Sequence, residues 1–187
     1  MPDEFTIRPS REDDLAAIQA IYAREVCHGT VSFETDPPDV AEMAARRRGL
    51  LEAGYPYLVA ELDSRVAGYA YAGPYHRRFG YRHTVENSLY LGAWARRLGI
   101  GCALLERLIE ECGERGYRQM VAIVGDSANA ASIRLHERCG FRMVGTLEDV
   151  GFKLGRWLDI VIMQRSLGGV LAPAGVGDEQ TEVNGSE

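Results

Sequence analysis

The chain has 187 residues and a formal net charge of -6, with 46% hydrophobic and 26% charged residues. That suits one domain with its own core and excludes disordered or fibrous classes. The acidic balance speaks against non-specific nucleic-acid binding, which needs a basic face, and no apolar run approaches the roughly 20 residues of a membrane helix.

Phe5 to Arg8 alternates apolar and polar and predicts a short strand. Ser10 is the expected N-cap of the next segment, with Asp13 three residues on. Leu15, Ile18, Ile21, Tyr22 and Val26 then recur at helical spacing. Thr35-Asp36-Pro37-Pro38 opens a second helix that stops near Gly54. Tyr57 to Leu62 and Val66 to Ala72 read as a hairpin about an Asp63-Ser64 turn. Thr84 to Leu91 is a further strand, and Ile100, Leu104, Leu105, Leu108, Ile109 and Cys112 mark one face of a helix ending near Gly113 or Gly116. Met120 to Val124 is a strand and Asn129 to Arg138 a helix closed by Gly140. Phe141 to Lys153 and Trp157 to Gln164 are two closing strands. Residues 169–187, rich in Gly, Ala, Glu and Pro, read as a flexible tail behind one domain spanning 1–168. A helix between the Thr84 and Met120 strands makes them parallel neighbours. The expected fold is therefore α/β or α+β, a mixed, mostly antiparallel sheet flanked by helices.

The four cysteines, Cys27, Cys102, Cys112 and Cys139, are scattered without a CxxC pair, so no metal site or disulfide framework is expected. Reduced thiols and the absence of a signal-peptide pattern in MPDEFTIRPS point to the cytoplasm.

Chemistry first shows in RRLGIGCALL, Arg96 to Leu105, which follows a strand and opens a helix. Free amides and the helix dipole at such a start favour an anion, and Gly99 and Gly101 allow close backbone approach. The stretch is no P-loop, since GK[ST] is missing, and no dinucleotide fingerprint, since Leu104 stands at the third glycine position. Taken alone it remains open between an anion site and a plain glycine turn.

Arg96, Gly99 and Gly101 resemble the RxxGxG acyl-CoA pyrophosphate motif of the GCN5-related N-acetyltransferases (GNAT), and Asn129 to Phe141 resembles that superfamily's Asn-helix-Gly-Phe element. Ala72-Gly73-Pro74-Tyr75, Thr84 to Ser88, Asn129 to His136 and Gly151 to Asp159 together look like the phosphinothricin N-acetyltransferase branch. The resemblance covers roughly Phe5 to Leu167. It implies acetyl-CoA as cosubstrate, no metal, and a small-molecule amine as acceptor. That acceptor would be the α-amino group of phosphinothricin or a methionine sulfoximine-like compound. It also implies a homodimer with the site near the interface.

Carried over residue by residue, the resemblance makes Leu89, Tyr90 and Leu91 the strand that pairs with the pantetheine arm. Arg96, Arg97, Leu98, Gly99, Ile100, Gly101 and Cys102 become the pyrophosphate loop, and Asn129 the contact to the cofactor arm. Many members carry glycine where this chain has Arg97, and a polar loop where it has Gly92-Ala93-Trp94-Ala95.

Acetyl transfer needs a neutral amine, an acceptor for its proton and a stabilised oxyanion. Glu86 is the candidate base. Reference pKa values of about 4.3 for glutamate and 7.7–8.0 for an α-amine leave a gap of roughly 3.5 units, about 5 kcal/mol. Glu86 therefore acts either with a raised pKa or through a water relay. His136 stands where many acetyltransferases have the tyrosine that protonates the leaving thiolate, and reads either as that acid or as a packed helix residue. Substrate recognition is expected from the acid-free stretch His76 to His83, chiefly Arg82 and Tyr75, then Arg77, since guanidinium forks suit a carboxylate and a phosphinate. Phe152 and Lys153 are further candidates. Acetylation of another amine, such as a protein N-terminus or a polyamine, and a non-catalytic acyl-CoA-binding sensor are the competing readings.

Overall fold

A computed structural model describes residues 5–168. The expected tail, residues 169–187, lies outside the described residues. The chain runs β1 (Thr6–Pro9), α1 (Leu15–His28), α2 (Val40–Glu52), β2 (Tyr57–Leu62), β3 (Arg65–Pro74), β4 (Thr84–Leu91), α3 (Ile100–Glu114), β5 (Gln119–Gly125), α4 (Ala130–Arg138), β6 (Arg142–Lys153) and β7 (Arg156–Ser166). The seven strands form one sheet in the order β1-β2-β3-β4-β5-β7-β6. Only β4 and β5 pair in parallel; every other described pairing is antiparallel. The expected α+β architecture is the one observed.

Two cores lie on opposite faces of the sheet, as strand alternation requires. Leu58, Ala60 and Leu62 of β2 face the apolar stripe of α3, Leu104, Leu105, Leu108 and Cys112. The intervening Tyr57 and Val59 face α1, through Ile18, Tyr22 and Val26, and Met43 of α2. Helical spacing of 3 and 4 residues puts each stripe on one side of its helix.

Two details differ from expectation. Ser10 caps nothing: its hydroxyl accepts from Arg47 Nε at 2.7 Å, and the Arg11 amide is instead taken by the Asp14 carboxylate at 2.7 Å. A short 3-10 turn, Glu12–Asp14, shifts the helix start past the Ser10 signal. The second helix begins at Val40, capped by Asp39, whose side chain accepts from the Glu42 amide at 2.8 Å. The two prolines hold the chain extended before it.

Candidate active site

The parallel β4–β5 ladder runs only from Thr84↔Gln119 to Asn87↔Ala122. Beyond it β4 continues to Leu91 and β5 to Gly125 without pairing, so the sheet splits. On its other side β4 stays in register with β3 through Leu91↔Gly68, so the opening arises from divergence and not from a bulge. The free backbone edge at Leu89, Tyr90 and Leu91 thus borders a cleft of about 960 Å³.

The start of α3 forms one wall. Gly99 is the N-cap residue at φ 82, and no side chain caps the helix. The first-turn amides of Ile100, Gly101 and Cys102 have no helical acceptor, and the dipole favours an anion there. A Cβ at Gly99 would meet only open space, so that glycine is needed for backbone conformation. Gly101 has a packing reason, since a Cβ there would lie 3.2 Å from Leu91. Arg97 adopts φ 69, a left-handed conformation that favours glycine. That accounts physically for the glycine that the family resemblance leads one to expect at this position. Arg96 is paired: its Nη2 lies 2.6 Å from Glu25 Oε1 and ties the loop to the end of α1.

α4 forms the opposite wall. Asn129 caps it, with Oδ1 accepting from the Ser132 amide at 3.2 Å. Before the cap, Asp126 accepts from the Ala128 amide at 3.0 Å and from Arg156 at 2.6 Å, which fixes the entry loop. His136 is buried, and its Nδ1 donates to the Ser132 carbonyl at 2.8 Å. Its Nε2 then carries the lone pair, 3.4 Å from the Asn87 amide nitrogen, which donates to it. Burial holds the His136 pKa below the usual imidazole value, against the smaller effect of the Ser132 bond.

Glu86 approaches from the other side of the sheet. Val85, Leu89 and Leu91 of β4 pack on the α3 core, whereas Tyr90 packs with Tyr69 and Tyr71 under α1. Alternation therefore puts Glu86, Ser88 and Tyr90 on the α1–α2 face, and Asn87 with its partner His136 on the α3–α4 face. Glu86 has no ion-pair partner among the described residues, and burial raises its carboxyl pKa. Both Glu86 and His136 border the cleft because the split passes between the faces.

Of the residues expected from sequence, Glu86, Leu89, Tyr90, Leu91, Arg96, Arg97, Gly99, Gly101, Cys102, Asn129 and His136 line this cleft. Leu98 is exposed beside it, and Ile100 is buried in the core with its side chain turned from any ligand. Tyr75, Arg77 and Arg82 stand outside the lining, on the β3–β4 connection. That connection leaves the sheet next to Glu86, which registers with Gly73. Arg82 there stacks on Phe79, its Cζ 4.2 Å from the ring centre. Phe152 lies on β6 outside the cleft lining, in an adjoining apolar groove with Val150 that shares Phe33 and Ile123 with the cleft.

Lys153 is not a free cation. It is 4% exposed, and its Nζ donates to the Ser32 carbonyl at 2.5 Å and more weakly to the Glu25 carbonyl at 3.4 Å. This corrects its assignment as a substrate contact, because both partners are main-chain oxygens and the side chain straps the loop after α1.

Sequence reasoning missed Asn87, and it missed Arg134 and Arg138, which border the cleft from α4. The two arginines had a signal, an i,i+4 pair on one helix face. Asn87 had none, since its role depends on what α4 brings against it. The donor set fits acyl-CoA: helix-start amides and nearby cations for phosphates, and an unpaired strand edge for an amide-bearing arm.

The sequence profile of the acetyltransferase (GNAT) family matches residues 16–141. A phosphinothricin N-acetyltransferase of Alcaligenes faecalis is 53% identical over 87% of this chain and 82% of its own length. An L-methionine sulfoximine/L-methionine sulfone acetyltransferase of Salmonella typhimurium is 40% identical over 90% of this chain and 98% of its own. The crystal structure of a phosphinothricin acetyltransferase from Sinorhizobium meliloti in complex with acetyl-CoA superposes with a TM-score of 0.88, at 42% identity over 95% of both chains. The chain therefore belongs to the acetyltransferase (GNAT) family and is an acetyl-CoA-dependent N-acetyltransferase.

Proposed function

We propose that the chain acetylates the α-amino group of a small amino acid whose side chain ends in an acidic or oxidised group, of the phosphinothricin or methionine sulfoximine type. The observation that carries this reading is Glu86, a desolvated carboxylate without an ion-pair partner, facing the sheet side opposite the anion-binding loop. Such a carboxylate holds an incoming ammonium and accepts its proton, directly or through water. Its raised pKa narrows the gap to the amine. Bound acetyl-CoA supplies the thioester carbonyl and its thiol leaving group. Arg97 to Cys102 would hold its phosphates, Asn129 and the β4 edge its arm, and a β4 amide near Leu89–Tyr90 the oxyanion. His136, neutral and hydrogen-bonded at both nitrogens, positions Asn87 in this scheme and does not supply protons.

The connection from His76 to His83 supports an acidic side chain on the acceptor. It carries Arg77, Arg78 and Arg82 beside the Glu86 end of β4 and holds no acid. A polyamine would be repelled there. We further infer a cytoplasmic homodimer. No helix among the described residues is long and apolar enough to cross a membrane. Among the described residues strand β6 pairs on one edge only, and it exposes Val144, Val150 and Phe152. Light scattering at twice the mass of one 20.7 kDa chain would agree, and a single-chain mass would refute the dimer.

The test of the activity is a screen with acetyl-CoA, read as free thiol, over phosphinothricin, methionine sulfoximine, methionine sulfone, ordinary amino acids, polyamines and peptides. Thiol release is expected with the first three. Release only with peptides or polyamines moves the substrate class, and tight acetyl-CoA binding without release on any amine returns the sensor reading.

A further inference from the structure

Cys102 and Cys139 are far apart in sequence, yet their Sγ atoms lie 3.4 Å apart across the α3–α4 junction. Glu106, one turn after Cys102 on the same face of α3, puts its Oε1 3.5 Å from the Cys102 sulfur. All three ligand atoms lie within 4.8 Å of one another. We propose that Cys102, Glu106 and Cys139 form a binding site for a thiophilic divalent cation of the zinc class, bridging α3 and α4 beside the acyl-CoA cleft.

The geometry separates this from the other outcome open to two close thiols. A tetrahedral zinc with Zn–S of about 2.3 Å and Zn–O of about 2.0–2.2 Å sets its sulfurs roughly 3.8 Å apart and a sulfur roughly 3.5 Å from a carboxylate oxygen. The observed 3.4 Å and 3.5 Å need an opening of about 0.4 Å at the sulfurs and none between Cys102 and Glu106, while Cys139 and the Glu106 oxygen, within 4.8 Å, close by at most about 1.3 Å through the exposed Glu106 side chain. A disulfide, at about 2.05 Å, would require the same sulfurs to close by roughly 1.4 Å.

The anchor is firm on the α4 side. Cys139 is 2% exposed at the helix end, its carbonyl accepts from Arg165, and Gly140 after it turns the chain at φ 79. The Glu106 side is open, because that residue is exposed on α3. An ion enters from solvent past the carboxylate and displaces one proton from each thiol. Water completes its fourth position. The acetyl transfer itself uses no metal, so this site is additional to the reaction. Its occupation ties the two walls of the cleft together, since Cys102 also lines the cleft.

The experiment is a titration of reduced, metal-free protein with Cd²⁺, followed by the ultraviolet thiolate-to-cadmium charge-transfer band, with zinc as competitor. Neither readout uses turnover. One equivalent per chain is expected, displaced by zinc. Cys102→Ser and Cys139→Ser should each weaken binding by roughly 100-fold or more, and Cys27→Ser, an exposed thiol outside the cluster, should leave it unchanged. Glu106→Gln, on an exposed face where folding is not at risk, should weaken it about 10-fold. An unchanged band in either serine variant of the pair overturns the site. So does unchanged affinity in the folded Glu106→Gln variant. Failure of the wild type to bind, with peroxide instead converting Cys102 and Cys139 to a disulfide, overturns it as well.

Discussion

At the residue scale, several side chains are explained by backbone and burial more than by charge. Arg97 sits at φ 69, where a non-glycine residue costs about 1–2 kcal/mol. Glycine removes that cost but adds freedom to the unfolded chain, worth up to about 1 kcal/mol. Arg97→Gly should therefore unfold at an equal or higher urea concentration, whereas the β-branched Arg97→Val should lose about 1–2 kcal/mol. Acetyl-CoA binding by the glycine variant should stay within about fivefold, because the amides remain and only an exposed charge is lost. His136 offers a pH test. Its folded pKa lies below the unfolded value near 6.5, so the unfolded chain binds the extra proton as pH falls through that window. Stability present above about pH 6.5 is lost on acidification. The urea midpoint should fall more between pH 7.5 and 5.5 in the wild type than in His136→Gln; parallel profiles would show that the imidazole is not buried as described.

At the scale of elements, helix and strand periods carried most of the fold. The α3 stripe and the β2–β3 hairpin were legible because each buries one face with a regular period. The split between β4 and β5 was not. Periodicity says which side a residue faces, not where two strands stop pairing, and that divergence is what opens the cleft. The same limit hid the Cys102–Cys139 approach, made where α3 meets the end of α4, and the Asn87–His136 contact, made where α4 packs on β4, both across sequence distance. Lys153 shows the opposite error: a basic residue near a suspected pocket reads as a ligand contact until its partners are seen. Replacing it with Met removes a charge-assisted bond to the Ser32 carbonyl, worth about 1.5 kcal/mol or more. Hydrogen exchange in the loop after α1, residues 29–36, should then quicken about tenfold, with little change in β2 or α3. Unchanged exchange in that loop would deny Lys153 its strapping role.

At the scale of the whole molecule, the sheet works as a partition. One face presents the anion-binding helix start and the other the Glu86 carboxylate, with the split β4–β5 pair as the passage between them. Separate faces allow the acyl donor and the amine to be recognised independently, so a change on one side should leave binding on the other intact. Glu86→Gln is the most direct measurement of this. It keeps shape and hydrogen bonding while removing the proton acceptor. With phosphinothricin or methionine sulfone as acceptor, kcat should fall by roughly 10²–10⁴-fold, while the acetyl-CoA Kd measured by calorimetry stays unchanged. Turnover equal to the wild type, or a parallel loss of acetyl-CoA affinity, would contradict the account.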